Sequence, residues 1–267
     1  MAQGMQPVIY AETFGNPSEV WMWRQVRALG VPLLTHEHRN ADTFPYERVT
    51  VVPRRRGGLD RVIAAARWLR HRHGYRLPAS VEHAVERALR ELGATLVHAH
   101  YGPAGLRMLP LPLPLVVTFH GFDTSSLPAA DPSYRRALGH LFGAAAGIVA
   151  VSETVRERLV RLGCAQDHLH VIPMGVPLRP PRPHPSRAEV RALTVARLHP
   201  VKGVPDLVDG VAKARAGGAP LALDIVGDGP ELAETERRIE VGGLRGTVKL
   251  HGTLPPARVA EMLDAAD

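Results

Sequence analysis

The stretch Val195-Ala196-Arg197-Leu198-His199-Pro200-Val201-Lys202-Gly203 decides how this chain is read. Residues 193–196 read as a short buried strand, and Val204, Leu207, Val208 and Val211 recur at helical spacing after it. Arg197 and Lys202 therefore fall where a strand hands over to a helix. Only three of the 33 basic residues are lysine (Lys202, Lys213 and Lys249). A chain that writes nearly every cation as Arg has a use for a compact ammonium at Lys202. Two cations at the carboxyl end of a strand, beside a helix N-terminus with free N–H groups, make a site for a phosphate or diphosphate. Taken alone, an Arg-x4-Lys pair reads more readily as two solvated loop charges. The flanking strand, Gly203 and a second glycine loop favour the anion site. That loop, Ile225-Val226-Gly227-Asp228-Gly229-Pro230-Glu231, is a strand ending in glycines, with Pro230 at a favoured first helical position.

Working outward, short strand-like runs alternate with longer helical ones, the signature of parallel α/β units. Strands are expected at 8–10, 31–35, 49–52, 95–98, 115–119, 147–151 and 168–172. Helices are expected at 18–29 (with Ser18 as N-cap), 58–73, 79–92, 133–142 and 153–162. The connector Pro177-Leu178-Arg179-Pro180-Pro181-Arg182-Pro183-His184-Pro185 is too proline-rich for either element and reads as a semi-rigid spacer. Three further units follow: strand 190–196 with helix 204–216, strand 220–226 with helix 230–241, and strand 247–250 with helix 256–265. The organisation is thus a first α/β domain over 1–176, a linker over 177–188 and a second domain over 189–267. A ligand cleft is expected between the two domains. Three strand–helix units leave a doubly wound sheet half built. The chain is accordingly expected to be a fragment or an early-ended reading frame, the other reading being a naturally small second domain.

Composition narrows the function. With 45% hydrophobic and 22% charged residues, the 267-residue chain has a globular composition. The single cysteine, Cys164, rules out an intrachain disulfide and suits a reducing compartment. No run of about 18 apolar residues appears, and the N-terminus lacks the regions of a secretion signal. The expectation is a cytoplasmic protein, or one peripheral at the inner face of the membrane. Net charge is +7, unevenly placed: residues 1–187 carry +9 and residues 188–267 carry −2. Nine arginines lie between Arg48 and Arg76. Among them Arg54, Arg55, Arg56, Arg61, Arg67 and Arg70 form a candidate patch for an anionic membrane surface, on or beside an amphipathic helix. The alternative is a solvated surface helix. Neither an aromatic RNA platform nor zinc-type Cys/His spacing accompanies the charge, so nucleic acid is not an expected partner.

In the first domain, Val116-Val117-Thr118-Phe119-His120-Gly121-Phe122-Asp123 puts His120 at the end of a buried strand, where it donates to a sugar hydroxyl or phosphate, or else to a loop carbonyl. His98 and His100 share one side of a strand but lack a third ligand at clear spacing, so no metal site is expected. No G-x-S-x-G elbow, Walker loop or G-x-G-x-x-G fingerprint is present. Ser152 reads as an N-cap rather than a nucleophile. Cys164 has no obvious base partner.

In order along the chain stand Asn16-Pro17-Ser18-Glu19, His98-Ala99-His100-Tyr101-Gly102, Thr118-Phe119-His120-Gly121, Val151-Ser152-Glu153, Ile172-Pro173-Met174-Gly175-Val176, Arg197 to Gly203, Gly227-Asp228-Gly229-Pro230 and His251-Gly252. This ordered set resembles the family 4 retaining glycosyltransferases of the GT-B fold. The resemblance implies an α/β fold of two Rossmann-like domains facing a cleft, the second incomplete. It implies transfer of a sugar from a nucleotide-diphospho-sugar to a glycan or lipid-linked acceptor, in surface polysaccharide biosynthesis, without a metal or other cofactor. Arg197 and Lys202 would bind the diphosphate and act in catalysis with His120, which would face the donor sugar. Gly15, Gly227, Gly229 and His251 would lie on the donor side, and Glu19 on the acceptor side. Two departures stand out. The family's paired glutamates, eight positions apart, have no counterpart within the 267 residues, and the first loop lacks the doubled glycine of many relatives. Two other function classes remain open: a nucleotide-sugar epimerase of the same fold, and a non-catalytic fragment that binds nucleotide or membrane.

Overall fold

Alternation in the first strand sets the layering of the first unit. In Pro7–Phe14 (β1), Val8 and Tyr10 face one cluster of apolar side chains, while Ile9 and Ala11 face another. A strand buried on both faces belongs inside an α/β sandwich. The computed structural model describes residues 4–54, 75–176, 178 and 188–267. The chain divides into two compact units, Met1–Val176 and Pro177–Asp267.

Among the described residues of the first unit, seven parallel strands form one sheet: β1, Leu33–His38 (β2), Val49–Val51 (β3), Leu96–His100 (β4), Leu115–Phe119 (β5), Gly147–Ala150 (β6) and Leu169–Val171 (β7). Their order is β3-β2-β1-β4-β5-β6-β7, so the winding reverses between β1 and β4. Val20–Leu29 (α1) covers one face with Met22 and Val26. Ala79–Glu91 (α2), Gly102–Met108 (α3), Pro132–Ala144 (α5) and Glu153–Arg161 (α6) bury their apolar stripes in the larger cluster, and Ser126–Ala130 (α4) is a single short turn.

Local chemistry explains most boundaries. Gly30 ends α1 in the left-handed conformation (φ 62°), its N–H bonded to Val26 O at 2.9 Å. The Asp131 carboxylate caps α5 by accepting from the N–H groups of Ser133 and Tyr134 at 2.8 and 3.2 Å. Ser152 caps α6 as expected, accepting from Val155 N–H. Ser18 does not cap α1. Residues Pro17–Glu19 form a 3₁₀ turn, closed by Glu19 N–H on Asn16 O (2.9 Å), and α1 starts only at Val20. Helix α3 was not expected, because its sequence, GPAGLRM, looks like a loop. Its glycines serve packing: a Cβ on Gly102 would lie 2.0 Å from Tyr134 Oη, and one on Gly105 would lie 2.8 Å from Val117 Cγ2. The expected helix 58–73 lies outside the described residues.

In the second unit, Val190–Val195 (β8), Leu221–Val226 (β9) and Val248–Leu250 (β10) form a parallel sheet of order β10-β9-β8. Val204–Ala216 (α7) and Leu232–Val241 (α8) enclose a core of Leu198, Val204, Val208, Val211, Leu223, Ile225 and Ile239. Pro256–Ala265 (α9) contacts β8 on the other face. Pro230 lies two residues ahead of α8 rather than inside it. Of the linker 177–188, all but Leu178 and Ala188 lies outside the described residues.

Candidate functional site

In an open parallel sheet the binding residues gather at the carboxyl ends of the strands, beside the point where strand order reverses. In the first unit those ends belong to β1, β4 and β5. Register explains the gathering: His98 pairs with Val116 and His100 with Thr118, so Thr118 is level with the end of β4 and His120 follows two residues beyond it, diagonal to His100. His100 Nδ1 and His120 Nε2 are 3.0 Å apart, and His98 Nε2 lies 2.7 Å from Thr118 Oγ1. The sequence reading kept the His-x-His pair apart from His120; the structure joins all three. Among the described residues, no group of three His, Cys, Asp or Glu is arranged to hold a metal ion.

These imidazoles are neutral at neutral pH. Burial pushes His98 down to about 4, and burial with the proximity of His98 pushes His120 down to about 4. His100, only 1% exposed, is driven well below the usual histidine value by burial and by its two histidine neighbours. Two neutral rings sharing one hydrogen bond have one ring N–H and one lone pair left over. The atoms left over are His100 Nε2 and His120 Nδ1, both buried and unpartnered among the described residues.

Aromatic side chains fix the ring of His120. Trp21 stacks on it (centroids 4.4 Å apart, 28° between planes), and Tyr101 lies 4.5 Å away. Tyr101 takes a positive φ of 74° and donates its hydroxyl to Glu19 Oε1 at 2.7 Å. Asn16 Nδ2 donates to Glu19 Oε2 at 2.8 Å. Glu19 is thus held in the same cluster as His120, which the sequence spacing of about a hundred residues does not show. Gly15 adjoins it, but its missing side chain has a protein-internal reason: a Cβ there would sit 1.9 Å from Arg39 O.

In the second unit, Ala196 to Gly203 leaves β8 and enters α7 through a 3₁₀ turn, Pro200–Lys202, with Gly203 left-handed at φ 62°. Arg197 and Lys202 are both exposed. Among the described residues neither has an ion pair or a side-chain hydrogen bond, whereas Arg215, Arg237, Arg238, Arg245 and Arg258 are all paired with carboxylates. The loop after β9 braces this one from behind. Leu198 N–H bonds to Asp228 O at 3.0 Å, and Glu231 N–H bonds to Leu198 O at 3.0 Å. A Cβ on Gly227 (φ 144°) would fall 1.8 Å from Ala196 O, and one on Gly229 (φ 159°) would fall 2.4 Å from Leu198 O. Both glycines therefore let one loop press on the other. His251, expected beside a nucleobase, has Nε2 2.6 Å from Asp224 Oδ1.

Of the arginine patch, the structure describes Arg54, whose guanidinium lies 3.0 Å from Glu12; Arg107 also pairs with that carboxylate. Arg54 is thus an exposed residue whose charge is paired with Glu12. Arg55, Arg56, Arg61, Arg67 and Arg70 lie outside the described residues. No helix among the described residues is long and apolar enough to cross a membrane.

A parallel sheet that reverses its winding beside a cluster of loops, together with a second parallel α/β unit, places the chain among the open-sheet, Rossmann-like α/β proteins. Residues 46–179 match the family model described as Glycosyltransferase Family 4, and residues 182–267 match that described as Glycosyl transferases group 1. The chain belongs to glycosyltransferase family 4, of the GT-B fold class. It is 31% identical over 181 residues to the putative colanic acid biosynthesis glycosyltransferase WcaL of Escherichia coli (strain K12), covering 63% of this chain and 44% of that protein. It is 27% identical over 191 residues to the amylovoran biosynthesis glycosyltransferase AmsK of Erwinia amylovora, covering 67% and 46%. The chain spans less than half the length of these curated relatives. Among solved structures, Anabaena Alr3699/HepE in complex with UDP and glucose superposes with a TM-score of 0.72 at 18% identity, over 94% of this chain and 70% of that one. Sucrose-phosphate synthase (tll1590) from Thermosynechococcus elongatus gives 0.65 at 16%, over 98% and 74%.

Proposed function

We propose that this chain serves a glycosyltransferase that moves a sugar from a nucleotide-diphospho-sugar to a glycan or lipid-linked acceptor in surface polysaccharide biosynthesis. The observation that carries the reading is the pair of unpaired cations, Arg197 and Lys202, on a loop held rigid by Gly227 and Gly229. Arg197 offers a planar fork to two diphosphate oxygens, and Lys202 a compact charge to a third. Both would stabilise the negative charge that builds on the departing nucleotide. His120, stacked on Trp21 and edged by Tyr101, would meet the donor sugar, and Glu19 would contact the acceptor. The relatives named for colanic acid and amylovoran biosynthesis support the polysaccharide context.

UDP-glucose, present in a solved structure of HepE, is the probe of choice. Calorimetry on the 267-residue chain should show binding that weakens with added salt, and Arg197→Ala with Lys202→Ala should weaken it by about a hundredfold or more. Equal affinity in the double variant would remove the site. We also propose that the protein is cytoplasmic and meets the inner face of a membrane through Arg54, Arg55, Arg56, Arg61, Arg67 and Arg70. Flotation with anionic against neutral vesicles tests this, and equal recovery would reject it.

A further inference from the structure

Asp123 is wholly buried, at 0% exposure, and no Lys or Arg among the described residues forms an ion pair with it. A buried carboxylate without a counter-ion is expensive to fold around. Its oxygens accept hydrogen bonds from the main chain. Oδ1 accepts from the N–H of His120 (3.1 Å) and Gly121 (2.9 Å), and Oδ2 accepts from the N–H of Gly102 (3.1 Å). Those three donors come from two loops: Gly102 opens α3 after β4, and His120-Gly121 follows β5. Both loops leave their strands through left-handed backbone, Tyr101 at φ 74° and Gly121 at φ 124°. Tyr134 Oη donates to Asp123 O at 2.9 Å and fills the space that a Cβ on Gly102 would need.

We propose that Asp123 is a positioning residue: its carboxylate ties the end of β4 to the end of β5 and so holds His100 and His120 in their shared hydrogen bond. The functional consequence rests on His120 being the residue that meets the donor sugar. The tie itself does not.

The elements that meet the Asp123 segment carry, among their titratable side chains, His98 and His100 on β4, His120 after β5, Tyr134 on α5 and Glu153 at the start of α6. The histidines are held neutral by burial, burial raises Tyr134 well above its ordinary value, and Glu153 is exposed and paired with Arg156. Asp123 is therefore the group that changes charge near pH 6. Burial lifts its carboxyl to about 6 against the backbone donors that pull it down. Asp131 provides an internal control. Its hydrogen bonds from Ser133 and Tyr75, with the backbone N–H donors behind them, hold it down at about 2.

The test begins on the unaltered 267-residue chain, with amide proton shifts followed by NMR from pH 8 to pH 4. The amides of Gly102, His120 and Gly121 should move together with one midpoint near 6, while those of Ser133 and Tyr134 stay still. Flat or unrelated curves for the three would overturn the proposal. Asp123→Asn should then alter the imidazole nitrogen signals of His100 and His120 and weaken UDP-glucose binding by about tenfold. Normal histidine signals and normal affinity in that variant would also overturn it. Altered histidine signals in a chain whose wild type shows no UDP-glucose binding would uphold the tie and sink the transferase reading. Because the pH series needs no variant, a poorly folding Asp123→Asn leaves it decisive.

Discussion

Lowering the pH from 7 to 5 should destabilise the first unit by at least about 2 to 3 kcal/mol. His98 and His120 have folded-state values near 4 against an ordinary 6.5. Between those values the unfolded chain binds protons that the folded chain refuses, so stability falls as the pH falls. Each ring accounts for a loss of about 2 kcal/mol between pH 7 and 5. Asp123 acts in the opposite sense. Its folded value, about 6, lies above its ordinary 3.8, so the folded state gains a proton first and recovers roughly 1 to 1.5 kcal/mol over the same interval. His36 and His100, also lowered mainly by burial, add to the loss. Urea unfolding followed by tryptophan fluorescence isolates the effect, because Trp21, Trp23 and Trp68 all lie within residues 1–176. The midpoint should drop by about 1 M or more, and His98→Gln should remove a large part of that drop. An unchanged or higher midpoint at pH 5, or the full drop surviving in His98→Gln, would refute the reasoning.

Gly227→Ala forces a Cβ against Ala196 O at 1.8 Å, at a φ of 144°. It should destabilise the second unit by about 3 kcal/mol, seen as faster hydrogen exchange across β8 and β9. Asp131→Ala removes the cap of α5 and the carboxylate that Tyr75 Oη reaches at 2.7 Å. It should cost about 1 to 2 kcal/mol of first-unit stability by the same fluorescence assay.

The parallel strands were legible because they carry near-continuous apolar runs, as in 115–119, where the expected and observed bounds coincide. Strand ends were less legible. β1 runs to Phe14 and β2 to His38 because ladder pairing with the neighbouring strand continues through polar residues such as Thr13 and Glu37. Helix α3 was hidden for a different reason. Gly102 and Gly105 look like breakers, and what they do is visible only once Tyr134 and Val117 are seen to occupy the space beside them. The cap at Ser152 was readable from local sequence, whereas at 16–20 the hydrogen bond between Asn16 and Glu19 outcompeted Ser18.

The candidate site divides along the same line. Arg197, Lys202 and the two glycines of the second unit are close in sequence, so a strand-to-helix pattern was enough to group them. The purpose of those glycines was not readable, since it depends on the carbonyls of Ala196 and Leu198 in a different loop. In the first unit, Glu19, Tyr101 and His120 meet only because β1, β4 and β5 are adjacent and parallel. Once that order is known, the register predicts the encounter of His100 with His120. Asp123 needs one step more. Four residues beyond the end of β5, it has the sequence look of a loop acid, and nothing within its own segment says that Gly102 will arrive to share it. Its cost is intelligible only as the force that locks two loops whose histidines must keep one geometry. The buried acid and the neutral histidine pair are therefore one structural unit, and a perturbation of either should register in the other.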